Sequence, residues 1–135
     1  MQVVLDTNVL ISGIYFFGIP HEILDAWRQG RFAIVASPEI LDEYRRVAED
    51  LQSYHPGIDA RPMLALLVHE SCLTHPSPLP TRVCDDPSDD KFLACAISSG
   101  SPVVISGDKA LLRASGYRGV QVVTPRVFMI RFLKR

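Results

Sequence analysis

Short runs rich in valine and isoleucine alternate with segments of helical period along this chain, and that alternation restricts its fold more than any other feature. Residues 2–5, 32–36, 103–105 and 120–123 are such runs, with little of the polar alternation that a half-exposed strand would show. Strands of this kind are buried on both faces, as in a parallel sheet covered by helices. The segments between them carry helix punctuation. Asn8 is placed to cap a first helix, Pro20 and Gly30 bracket a second, and Ser37-Pro38-Glu39 open a third that continues through Ile40, Leu41, Tyr44, Val47, Ala48 and Leu51. Residues 60–70, 89–99, 109–114 and 125–133 read as further helices, the second of these capped by Ser88 or Asp89 and closed by Gly100. Residues 75–80, with proline at every second position, read as an extended loop or irregular strand. The expected fold class is α/β, a three-layer sandwich with a central, mostly parallel β-sheet flanked by helices. Residues 1–135 are expected to form a single domain, since a chain this long that is 47% hydrophobic can bury one proper core.

Four acids stand at the edges of these apolar segments. Asp6 directly follows Val3-Val4-Leu5, and Asp108 follows Val103-Val104-Ile105 through Ser106 and Gly107. Glu43 borders the apolar stripe of its helix. Asp90 belongs to a segment with four acids in six residues, Asp85, Asp86, Asp89 and Asp90. Helix-dipole stabilisation of about 0.3–1 kcal/mol per acid hardly accounts for such density, whereas a divalent cation does. Asp90 is preferred within it because Leu93 and Ala94, three and four residues on, turn that face inward; Asp89 is the runner-up. In open α/β sheets ligands bind at the carboxyl ends of the strands. Carboxylates gathered there would protonate unless a cation held them together, which points to Mg²⁺ or Mn²⁺.

Charge neither supports nor excludes a nucleic-acid partner. The net charge is −1, yet eleven of the fourteen basic residues are arginine, and two divalent ions at the acidic cluster would turn −1 into about +3. Arg45, Arg46, Arg82 and Arg113 are candidates for guiding a phosphate backbone. Three cysteines without a CxxC spacing suggest buried free thiols, and the four histidines show no metal-binding spacing. No apolar run approaches the ~20 residues that span a bilayer, and the strand pattern begins directly after Met1, so a cytoplasmic protein with no membrane partner is expected.

The motifs VLDTNVLISG, SPEILDEYRRV, RVCDDPSDDKFLACA and VVISGDKALL, in this order, resemble those of PIN-domain proteins, in particular the bacterial toxin components of toxin–antitoxin systems. The resemblance covers nearly the whole chain. It implies the PIN-like sandwich, endoribonuclease activity dependent on Mg²⁺ or Mn²⁺, and metal-binding acids at Asp6, Glu43, Asp90 and Asp108. Thr7, Asn8 and Ser106 become supporting polar residues, and Asp89 beside Asp90 leaves the third ligand ambiguous. One or two hard cations so bound would acidify a water for in-line attack on phosphorus. The resemblance also implies a small antitoxin protein as partner.

Two other readings compete. An aspartyl-phosphate phosphatase needs an acid two residues after Asp6, where Asn8 stands. A receiver-like or RNA-binding module would use the same acids to hold a regulatory ion and cleave nothing. The terminal run Val127, Phe128, Ile130, Phe132 and Leu133 fits either core packing or a homodimer surface, core packing being the expected use.

Overall fold

The computed structural model describes residues 1–133. In chain order the elements are β1 (Gln2–Leu5), α1 (Thr7–Tyr15), α2 (Ile19–Arg28), β2 (Ala33–Ala36), α3 (Pro38–Gln52), α4 (Arg61–Glu70) and β3 (Cys72–Leu73). A 3-10 turn at Pro87–Asp89 leads into α5 (Asp90–Ser99), then β4 (Val103–Ile105) and α6 (Lys109–Leu112). A second 3-10 turn at Tyr117–Gly119 precedes β5 (Gln121–Val123) and α7 (Pro125–Phe128), which runs on as a π-type turn over Met129–Leu133.

The five strands form one sheet in the order β3-β2-β1-β4-β5, and every neighbouring pair is parallel. Helices cover both faces, giving the three-layer sandwich that the double-sided apolar runs require. Val3, Val4, Leu5, Val104 and Ile105 have no exposed surface, and α5 packs its Phe92, Leu93, Cys95 and Ala96 against this central part of the sheet. Burial of each such aliphatic side chain contributes about 1.5–3 kcal/mol. From β1 the chain builds outward through β2 and β3, then returns to add β4 and β5 on the other side. The order therefore reverses between β1 and β4, and the carboxyl ends of strands at such a reversal are where open α/β sheets bind ligands.

Several local expectations are refined. β3 is an additional edge strand, pairing Cys72 and Leu73 with Val35 and Ala36. Two residues are too few to show a period. Cys84 and Cys95 are buried free thiols as expected, but Cys72 is exposed on that edge. Asn8 caps nothing: it lies within α1, exposed, and Asp6 occupies the N-cap position without a side-chain capping bond. Asp89 occupies the N-cap position of α5 without a side-chain capping bond, and the 3-10 turn before it is capped by the Asp86 carboxylate, which accepts from Ser88 N at 3.0 Å. At the C-terminal end Phe128 is fully buried against Phe32, ring centroids 5.2 Å apart, whereas Ile130 and Phe132 are exposed. No single helix among the described residues is long and apolar enough to cross a membrane.

Candidate metal centre

Asp6 is placed by the backbone alone. Its N–H continues the β1–β4 ladder to Ile105 O at 2.9 Å, and its carbonyl receives the first helical bond of α1 from Val9 N at 3.0 Å. The side chain is buried and accepts a hydrogen bond from the Ser106 hydroxyl, Oγ to Oδ2 2.6 Å. Ser106 is itself fully buried, and its Oγ also accepts Asp108 N at 3.0 Å. One hydroxyl thus ties the end of β1 to the turn after β4. Asp108 caps α6, its Oδ1 accepting Ala110 N at 3.1 Å.

The acidic segment before α5 divides its carboxylates between two tasks. Asp90, preferred from the sequence, faces its own loop: Oδ1 accepts Cys84 N at 2.7 Å and Oδ2 accepts Val83 N at 3.1 Å. Burial pushes its carboxyl up, but these donors, the Cys84 thiol and Arg82 outweigh it and hold the group below the ordinary value. Asp89 is half-buried and lies in the field of Asp6 and Asp108. Burial first, then the charges of Asp6, Asp108 and Asp86 and a carboxyl–carboxyl hydrogen bond to Asp108, push its pKa up to about 7 from the ordinary 3.8. Asp6 is also raised, chiefly by burial, with the Ser106 hydroxyl and Thr7 N–H opposing and the charges of Asp108 and Glu43 adding. Asp6, Asp89 and Asp108 thus share one electrostatic neighbourhood, and Asp90 does not enter it.

Glu43 is brought to the edge of this group by the docking of α3. Ser37 caps that helix by accepting Ile40 N at 3.3 Å. Tyr44, only 1% exposed, then donates its hydroxyl to Leu5 O at 2.5 Å, pinning α3 to the residue before Asp6. Glu43 Oε2 accepts the Thr7 hydroxyl and Oε1 meets Lys91 Nζ at 2.8 Å. Thr7 is therefore spent on Glu43, and Asn8 makes no side-chain hydrogen bond among the described residues. Lys91 and the Tyr44 hydroxyl escaped the sequence reading: Tyr44 counted only as part of an apolar stripe, and a lysine in a first helical turn carries no signal.

The donor set suits a hard cation. It consists of carboxylate oxygens, Asp6, Asp89 and Asp108 have no ion-pair partner among the described residues, and two of the three have raised proton affinity, the state that a divalent ion relieves. Among the described residues no three His, Cys, Asp or Glu side chains already stand as a closed coordination group. The acids converge without meeting at one point. Around them, Arg46 reaches Glu43 Oε1 at 3.9 Å and Arg113 pairs with Asp85 at 2.5 Å while feeling the charge of Asp108. Arg45 binds Asp42 at 2.7 Å, and Arg82 donates to Cys84 O at 3.1 Å.

The fold is similar to that of PAE2754 from Pyrobaculum aerophilum, a crystal structure with a TM-score of 0.65 and 18% sequence identity, covering 100% of this chain and 91% of that one. No curated protein matches the chain. The family described as PIN domain is matched over residues 2–110, from β1 into α6 and across every acid discussed above. The chain belongs to the PIN domain family, whose members are generally metal-dependent nucleases.

Proposed function

We propose that the protein is a metal-dependent endoribonuclease, the toxin of a toxin–antitoxin pair, and that Asp6, Asp89 and Asp108 hold its Mg²⁺ or Mn²⁺. The observation that supports this most is that Asp6, buried at the end of β1, and Asp108, half-buried after β4, are joined through the Ser106 hydroxyl, with Asp89 in their field and no cation from the described residues paired with any of the three. A divalent ion bound there supplies charge neutralisation at a phosphodiester and acidifies water for attack. Ser106 aims Asp6. The Asp90 clamp on Val83 and Cys84 holds the loop that presents Asp89, and Glu43 stands at the rim on Thr7. Arg46 and Arg113 flank the cluster in exposed ion pairs, each able to exchange a carboxylate for a substrate phosphate.

The assay is cleavage of single-stranded RNA by the purified chain with Mn²⁺, Mg²⁺ or EDTA. Cleavage requiring a divalent ion and abolished in Asp6→Asn is expected; absence of cleavage with either metal would favour the binding-module reading. The toxin role is tested separately. Induction should arrest growth, and co-expression of the neighbouring reading frame should relieve it; unimpaired growth with active nuclease would point to housekeeping RNA processing.

A further inference from the structure

Two consecutive residues of α3 hold the residues on either side of Asp6. Glu43 accepts the Thr7 hydroxyl, and Tyr44 donates its own hydroxyl to Leu5 O at 2.5 Å. The second contact stands where the sheet runs out of partners. Met1 O accepts Ala33 N at 2.9 Å, so the carbonyls of alternate residues along β1, Val3 and Leu5 among them, face β2. β2 ends at Ala36, and Ser37 turns off to cap α3. Leu5 is fully buried, and the Tyr44 hydroxyl supplies the donor that β2 no longer offers its carbonyl. On the other side Asp6 N–H is held by Ile105 O of β4 at 2.9 Å. A phenol only 1% exposed needs an acceptor, and any nearby carbonyl would meet that need. What sets Tyr44 apart is which carbonyl it holds: that of the residue before Asp6, reached from the residue after Glu43.

We propose that Tyr44 is a positioning residue whose hydroxyl, by holding the Leu5 carbonyl, fixes the place of Asp6 relative to Glu43 and so sets the rate of phosphodiester cleavage. This role deepens the nuclease reading and rests on it, whichever of the acids bind the ion. Without the hydroxyl the end of β1 keeps its bond to β4 but loses one of its two ties to α3. Asp6 and Glu43 are then free to shift against each other, and a displacement of about 1 Å at a reacting centre can cost about a hundredfold in rate.

Tyr44→Phe removes one oxygen and keeps the ring. Cleavage of single-stranded RNA by the purified full chain with Mn²⁺ is followed well below the Tm of each variant. Phe128→Leu is the control for lost stability, since its ring packs on Phe32 before β2, at the opposite end of that strand from Ser37. Tyr44→Phe is expected to lower kcat by about tenfold or more with KM within about twofold of the wild type, whereas Phe128→Leu lowers Tm and leaves kcat unchanged. Wild-type kcat in Tyr44→Phe, or an equal fall of kcat in Phe128→Leu, overturns the role alone. A change confined to KM overturns it too, placing the effect on substrate binding, as does a Tyr44→Phe chain that does not fold, whose hydroxyl would then serve the core. Absence of cleavage by the wild type overturns the nuclease reading together with this role.

Discussion

The Ser106 hydroxyl donates to Asp6 Oδ2 at 2.6 Å across a hundred positions of sequence, joining the carboxyl ends of β1 and β4 where the order of the sheet reverses. This bond opposes the burial that raises the Asp6 carboxyl's proton affinity. Ser106→Ala should let that affinity climb further and reduce Mn²⁺ binding by about tenfold, the lower end of what loss of a ligand's supporting hydrogen bond costs. Because the effect acts through a proton, the loss should grow as pH is lowered. Equal losses at every pH would show that the hydroxyl acts only through geometry. A stability loss of about 1 kcal/mol is also expected, since Asp108 N loses its acceptor.

Asp89 gives the metal-free protein a characteristic pH dependence. Its carboxyl titrates near 3.8 in the unfolded chain and at about 7 in the folded one, raised first by burial and then by Asp6 and Asp108. Between those values the folded state binds the extra proton, so this group favours folding most below pH 4 and its contribution is lost as pH rises to 7. Tm in EDTA, measured as wild type minus Asp89→Asn to cancel other carboxylates, should fall across that window. Mn²⁺ affinity should run the other way, rising with pH and levelling off above about 7. A flat difference across pH 4–8 would remove Asp89 from the acidic neighbourhood.

Much of this arrangement was legible because burial leaves a mark in composition. β1, β2, β4 and β5 are Val- and Ile-rich since both faces are covered, and Asp6 and Asp108 stood out as charges where such runs stop. The choice between Asp89 and Asp90 was not legible. Apolar partners at i+3 and i+4 exist for both, Phe92 and Leu93 for one and Leu93 and Ala94 for the other. What separates them is the 3-10 turn ending at Asp89, which takes that residue off the wheel of α5 and leaves Asp90 to close the loop behind. Lys91 and Glu43 are a contact between residues distant in sequence, of which neither helix's own pattern gives a sign.

Gly13 sets how closely α1 and α2 approach. A Cβ there would lie 2.6 Å from Leu24 Cδ1 and 2.8 Å from Pro20 O, and the second is backbone that cannot rotate away. Gly13→Ala should therefore destabilise by about 1–3 kcal/mol through overpacking, despite alanine's better helix propensity. The contact is remote from the carboxylates, so Mn²⁺ affinity of the folded variant should match the wild type. Urea unfolding gives the first quantity and metal titration the second. A variant as stable as wild type would mean the helices can separate without cost.

Asp90 and Asp89 should exchange consequences when each is replaced by asparagine. The Asp90 carboxylate serves two backbone N–H groups, at 2.7 and 3.1 Å, which an amide can satisfy only in part because it offers one acceptor oxygen. Asp90→Asn should cost about 1–3 kcal/mol at neutral pH, the range for a hydrogen bond to a charged group or an orphaned buried donor. Burial works against the Asp90 carboxylate but its donors prevail, so its folded pKa lies below the ordinary value. Its contribution is therefore fully present above the unfolded pKa near 3.8 and is lost as pH falls through the lower folded value. The stability gap between wild type and Asp90→Asn should accordingly close toward pH 3. Asp89→Asn, which removes a charge repelled by Asp6 and Asp108, should be at least as stable as wild type in EDTA at pH 8 while losing Mn²⁺. The reverse pattern, metal lost in Asp90→Asn and stability lost in Asp89→Asn, would return the third ligand to Asp90.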